Sequence, residues 1–203
     1  MTEAQDETQV DGRTARAMRT RDAIVASCVA LVDAGDLRPT APRIAEGAGV
    51  SVRSVFQHFD DLETLFDMVA DQVLGRLAQL YEQIDPTLPL DDRIDRFVRQ
   101  RRSLLEAVTP IRRAAALHAP FSRVITKRLR AGHDFLRADI ATVFADQLQV
   151  VRPGAREQLL DVLDTAVSWP TWESLRTLNG RDSDEAAAVL RRMLTMALAS
   201  ATG

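Results

Sequence analysis

The sequence predicts an all-α protein of about nine helices. Three observations lead there. Apolar residues recur at three- and four-residue spacing along most of the 203 residues, aromatics make up only 5%, and no β-branched run alternates strictly enough to build a half-buried strand. With 46% hydrophobic and 27% charged residues, the composition is that of a globular protein with a substantial core. No run reaches the roughly 18–20 apolar residues a spanning helix needs. The polar start MTEAQDETQVDGR lacks the basic-then-apolar order of a signal peptide, so a cytoplasmic location without a membrane partner is expected.

Residues 1–17 show no periodicity and are read as a flexible arm whose end carries Arg13 and Arg16, with Arg19 just beyond. Thr20 is the expected cap of a first helix in which Ile24, Cys28, Leu31 and Val32 share one face, and Gly35 is its stop. Cys28 on that stripe is a small core residue rather than a reactive thiol. Thr40 opens a short second helix with Pro42 in its first turn, where a missing N–H costs nothing. Gly47-Ala48-Gly49 makes a turn, Ser51 caps a third helix, and Val55 and Phe59, four apart, pack it down. Asp60 or Asp61 caps a fourth helix running to about Glu82, long enough to join two modules.

Pro86 and Pro89 interrupt the pattern, and Asp91 opens a fifth helix whose Arg93, Arg96, Arg99, Arg101 and Arg102 are read as a solvated face. Thr109-Pro110 is expected to start a short sixth helix that ends at Pro120. A long seventh helix reaches Phe144, and an eighth runs from about Ala155 to Leu178 with a kink at Pro170. Asp182 or Ser183 caps the ninth, which is apolar over more than one face. That excess predicts a homodimer through the last two helices, packed as a four-helix bundle.

The stretch from Thr40 to Phe59 carries the chemistry. Two short helices joined by a glycine turn, the second with Arg53, Ser54, Gln57 and His58 on its polar side, suit the major groove of double-stranded DNA. The net charge is −3, yet seven arginines face four acids between Gly12 and Phe59, a local basic surplus. The chain has no GxSxG elbow, HExxH pair, phosphate-cradling glycine loop or CxxC. His58, His118 and His133 are not spaced for a shared metal. Accordingly no catalytic residue, metal or cofactor is expected, and the chain is not read as an enzyme.

Arg21, Ile24, Gly35, Thr40, Ile44-Ala45, Ala48-Gly49-Val50-Ser51, Phe56, His58-Phe59, Glu63 and Leu65 together resemble the tetracycline-repressor-like (TetR) family of bacterial regulators over about 50 residues. The resemblance implies a helix-turn-helix DNA-binding domain over 18–65, with the motif at 40–59, and an effector-binding and dimerisation domain over 66–203. It makes Thr40 and Arg43 phosphate contacts, Arg53 and Gln57 readers of base edges, and Ser54, Phe56 and His58 backbone contacts. The family usually has Tyr in place of Phe56 and Lys in place of Leu62. Losing both removes phosphate contacts, which weakens affinity and flattens its salt dependence.

The resemblance further implies an effector cavity, for which Phe97, Arg112, His118, Phe121, Phe135, Trp169 and Trp172 are the candidates. The function expected is a ligand-responsive repressor on a pseudo-palindromic operator, released by a small-molecule effector. An effector-independent helix-turn-helix protein and a helical enzyme are the alternatives.

Overall fold

The computed structural model describes residues 3–200, with the side chains of 14–61 and 63–200. Every regular element among them is helical, as predicted. In order these are α1 (Glu3–Asp33), α2 (Ala41–Ala48), α3 (Val52–His58), α4 (Leu62–Ala78), α5 (Leu90–His118), α6 (Arg123–Val143), α7 (Ala145–Val150), α8 (Pro153–Ala166), α9 (Trp169–Glu173) and α10 (Ser183–Ser200). A 3₁₀ turn, Ala119–Phe121, precedes α6, and a π-helical segment, Ser174–Leu178, follows α9. No helix among the described residues is long and apolar enough to cross a membrane.

The chain divides into two compact units, one of residues up to Gly75 with Pro110–Thr126, the other of Arg76–Thr109 with Lys127 onward. The first is built on Ile24, Val25, Cys28 and Val29 of α1, which pack on Ile44 and Ala45 of α2, Val55 and Phe59 at α3, and Leu65 and Val69 of α4. Each Val, Leu, Ile or Phe among them contributes about 1.5–3 kcal/mol by leaving water. Cys28 lies fully inside, and burial, with the nearby Asp36 charge adding, pushes its thiol pKa up to about 12. A thiol so protonated is a packing residue, as the sequence suggests. Leu65 is central to this core, so the boundary placed there from sequence falls inside the unit.

The second unit holds two clusters. In one, Ile94, Phe97 and Val98 of α5 meet Ile140 and Val143 of α6, Leu160 and Leu163 of α8, and Leu194 and Leu198 of α10. In the other, Leu105, Trp172, Leu175, Ala186 and Leu190 come together. Because α5 feeds both clusters, its buried side is wider than one stripe, and two of its arginines are taken inside. Arg93 donates from Nη1 to the carbonyl of Val143 at 2.8 Å and so satisfies the C-terminus of α6. Arg101 lies over the Phe97 ring at 4.8 Å and faces Asp139 at 3.6 Å. The other Asp139 oxygen accepts from the Tyr81 hydroxyl at 2.9 Å. Burial draws the Arg101 pKa down to about 10 against the opposing pull of Asp139, and burial pushes the Asp139 carboxyl up. The solvated face predicted for α5 is therefore corrected at Arg93 and Arg101, while Arg96 and Arg99 are exposed.

Several boundaries also differ from the sequence reading. Helix α1 begins at Glu3, so the stretch read as an arm is helical from there, and Thr20 sits inside it with its hydroxyl bonded to the Arg16 carbonyl at 3.1 Å. Glu, Gln, Ala, Arg and Met favour helix without any apolar period to announce it. The arm's first two residues and the side chain of Arg13 lie outside the described residues. Helix α4 stops at Ala78 rather than Glu82. Pro110 lies inside α5 instead of opening a new helix. At Phe144 the backbone leaves helical dihedrals and seats its ring edge-on to Phe97, which separates α6 from α7. The expected kink at Pro170 is a true break: Ser168 is extended, its hydroxyl accepts from the Thr171 N–H, and Pro170 sits in the first turn of α9. Asp182 and Glu185 close a reciprocal capping box at the start of α10.

Candidate nucleic-acid interface

Helix α2 starts at Thr40, which has the extended dihedrals of an N-cap and an exposed side chain that makes no capping bond. Gly49 ends the helix at φ +67°, in the left-handed region where a side chain is strained, and the Val50 N–H returns to the Ala45 carbonyl at 2.9 Å. The sequence assigned Gly47 to the turn. It lies within α2, and a Cβ there would collide with Ser27 Oγ, which donates to the Ile44 carbonyl at 2.8 Å. Gly47 thus lets α1 and α2 approach, and Ser27 pins them. A buried Ser facing a Gly across two helices is a contact that spacing along one chain segment does not reveal.

Helix α3 is capped as predicted, with Ser51 Oγ accepting from the Ser54 N–H at 3.1 Å. Val55 and Phe59 go into the core, which turns Arg53 and Gln57 outward and exposed, with Ser54 and His58 half-buried beside them. Phe56 is 54% exposed and Val52 39% exposed on the other side of that row. The Arg21 guanidinium lies 5.3 Å above the Phe59 ring and so braces the end of α3 from α1. Asp61, rather than Asp60, caps α4. It accepts the Thr64 N–H at 2.8 Å and the Thr64 hydroxyl at 3.0 Å, and these bonds hold its carboxyl below the usual range. Arg43 is ion-paired with Asp36, and Asp36 also accepts the Arg38 N–H at 3.1 Å. Arg16 and Arg19 are exposed on α1. The side chain of Leu62 lies outside the described residues.

The residues expected around an effector divide between the two units. In the first, His118 stacks at 5.3 Å from Phe66 with Nε2 buried and unbonded, burial lowers the pKa of Arg112, and Phe121 is 89% exposed. In the second, Phe97 and Trp172 are enclosed in different core clusters and present no surface to a ligand, because aromatics at helical spacing pack first as core. Trp169 is half-buried and donates to Thr109 Oγ1 at 3.2 Å, while Phe135 is exposed and edge-on to Tyr81. The second unit also carries an open groove of about 560 Å³ between the segment after α4 and α5, lined by Leu80, Ile84, Asp92, Asp95, Arg96 and Arg99 among others. None of the predicted lining residues borders it.

A short capped helix held outward by two others, across a turn closed by a left-handed glycine, is the architecture of a helix-turn-helix module. About 90% of the chain has the fold of TetR-family transcriptional regulators. It is similar to a TetR-family transcriptional regulator from Streptomyces coelicolor, with a TM-score of 0.71 and 15% identity over 90% of this chain and 82% of that one. A TetR transcription regulator from Haloarcula marismortui gives 0.61 and 18% over 89% and 97%. A transcriptional regulator from Rhodococcus sp. Rha1 gives 0.59 and 17% over 91% and 96%. No family model and no curated protein matches the sequence.

Proposed function

We propose that this chain is a transcriptional regulator, a repressor, that binds a pseudo-palindromic operator as a homodimer and is released by a small-molecule effector. The observation that carries the reading is α3 itself. Its buried residues are Val55 and, at the cap, Phe59, and the opposite side presents Arg53 and Gln57 to solvent. Arg is suited to a bidentate bond with guanine and Gln to adenine, each pair discriminating by about 1–3 kcal/mol. Thr40 and His58 would contact the backbone. Arg43, ion-paired with Asp36, would reach phosphate from a position already fixed by that acid.

Exposed apolar residues on the last helices, Val162 of α8 with Met193 and Met196 of α10, support a second copy packing there. Effector binding would bias the dimer between two spacings of its recognition helices, with α4, which has residues in both units, as the coupling element. The test is a gel shift on a selected operator. Arg53→Ala with Gln57→Ala should abolish the preference for operator over random duplex while leaving the dimer intact by sedimentation. An unchanged preference would overturn the assignment.

A further inference from the structure

Helix α3 is asymmetric about its outward row. Arg53 and Gln57 form that row, Ser54 and His58 border it on one side, and Val52 and Phe56 border it on the other. Val52 and Phe56 lie four residues apart, so they share one strip of helix surface. Both belong to the large apolar side chains left open to solvent, and neither joins the cluster that seats α3, which takes Val55 and Phe59. The strip is thus continuous with the base-reading row but has no hydrogen-bonding group of its own. A phosphate would gain nothing from it, since neither side chain can donate.

We propose that Val52 and Phe56 read thymine, packing in the major groove against the C5 methyl groups of each half-site. The proposal rests on the reading of α3 as the recognition helix. Purine N7, guanine O6 and thymine O4 accept there and the exocyclic amines of adenine and cytosine donate, which are the partners of Arg53 and Gln57. The thymine methyl is the apolar group that the base edges present. An apolar strip alongside a polar reading row therefore has one complementary base-edge partner. Four residues of helix advance about 6 Å, against about 3.4 Å per base step, so the methyls in reach belong to base pairs no more than about two steps apart. Phe56, where the resemblance led the sequence reading to expect a weakened backbone contact, becomes a specificity residue.

The experiment starts from an operator enriched from a random duplex pool. Each thymine is then replaced in turn by deoxyuridine, which keeps every hydrogen-bonding group and lacks only the methyl, and Kd is measured by fluorescence anisotropy. Burial of one methyl corresponds to about a fourfold change in Kd. Kd should rise about fourfold at one or two positions in each half-site. Phe56→Ala and Val52→Ala, made separately at exposed positions so that circular dichroism and Tm stay unchanged, should each remove the uridine effect at one position. Two results would overturn the thymine reading and leave α3 as the recognition helix: half-sites without thymine, or a bound operator whose Kd is the same with every uridine while Arg53→Ala still destroys selection. A pool that enriches no sequence would overturn both.

Discussion

Arg101 is 2% exposed, with its guanidinium between the Phe97 ring and the Asp139 carboxylate and the Tyr81 hydroxyl completing the group. Removing one member of a buried ion pair strands the other charge, which costs about 3–5 kcal/mol. Arg101→Met should therefore lower the unfolding free energy by that amount, read as a lower urea midpoint at unchanged slope. Adding Asp139→Asn removes the stranded charge and keeps an acceptor for Tyr81, so the double variant should recover most of the loss; a double variant as unstable as the single would contradict the ion-pair account. Single residues were legible where their environment is local. Cys28 could be placed by its stripe, and Ser51 by its position before an apolar pair. Arg101 could not, because a charged residue in a run of arginines looks solvated until the acid that draws it inward arrives from α6, 38 positions later in the sequence.

Elements hold or fail at their ends. Helix α3 has seven residues, too few to persist alone in water, so its cap and its two core anchors decide whether it is presented at all. Ser51→Ala should cost about 1 kcal/mol and weaken operator binding without altering which sequence is chosen. The start of α4 depends on Asp61, whose folded pKa is held below the usual carboxylate value by the bonds from Thr64. Its contribution is present above that unfolded value and is lost as pH falls through the lower folded one. Thermal melts should show an acid-side loss of stability that is smaller in Asp61→Asn, which caps without titrating. Capping signals made α2, α3, α4 and α10 readable. Prolines were ambiguous: the same residue opens α9 at Pro170 and lies inside α5 at Pro110.

At the scale of the whole molecule, a net charge of −3 with a basic surplus confined to the stretch from Gly12 to Phe59 favours one DNA-facing region over indiscriminate coating. The fold class and the helix-turn-helix stretch were legible because periodicity and turn chemistry act over a few residues. Which aromatics stay available to line a cavity was not, since Phe97 and Trp172 are committed to separate cores, and only the assembled chain decides which are enclosed. The central claim is that two copies of α3 read DNA together. Sequencing of duplexes selected from a random pool by the purified protein tests it most directly. The account predicts an inverted repeat whose half-site centres lie about 34–36 Å apart, one helical turn; a selected pool with no shared motif would contradict it.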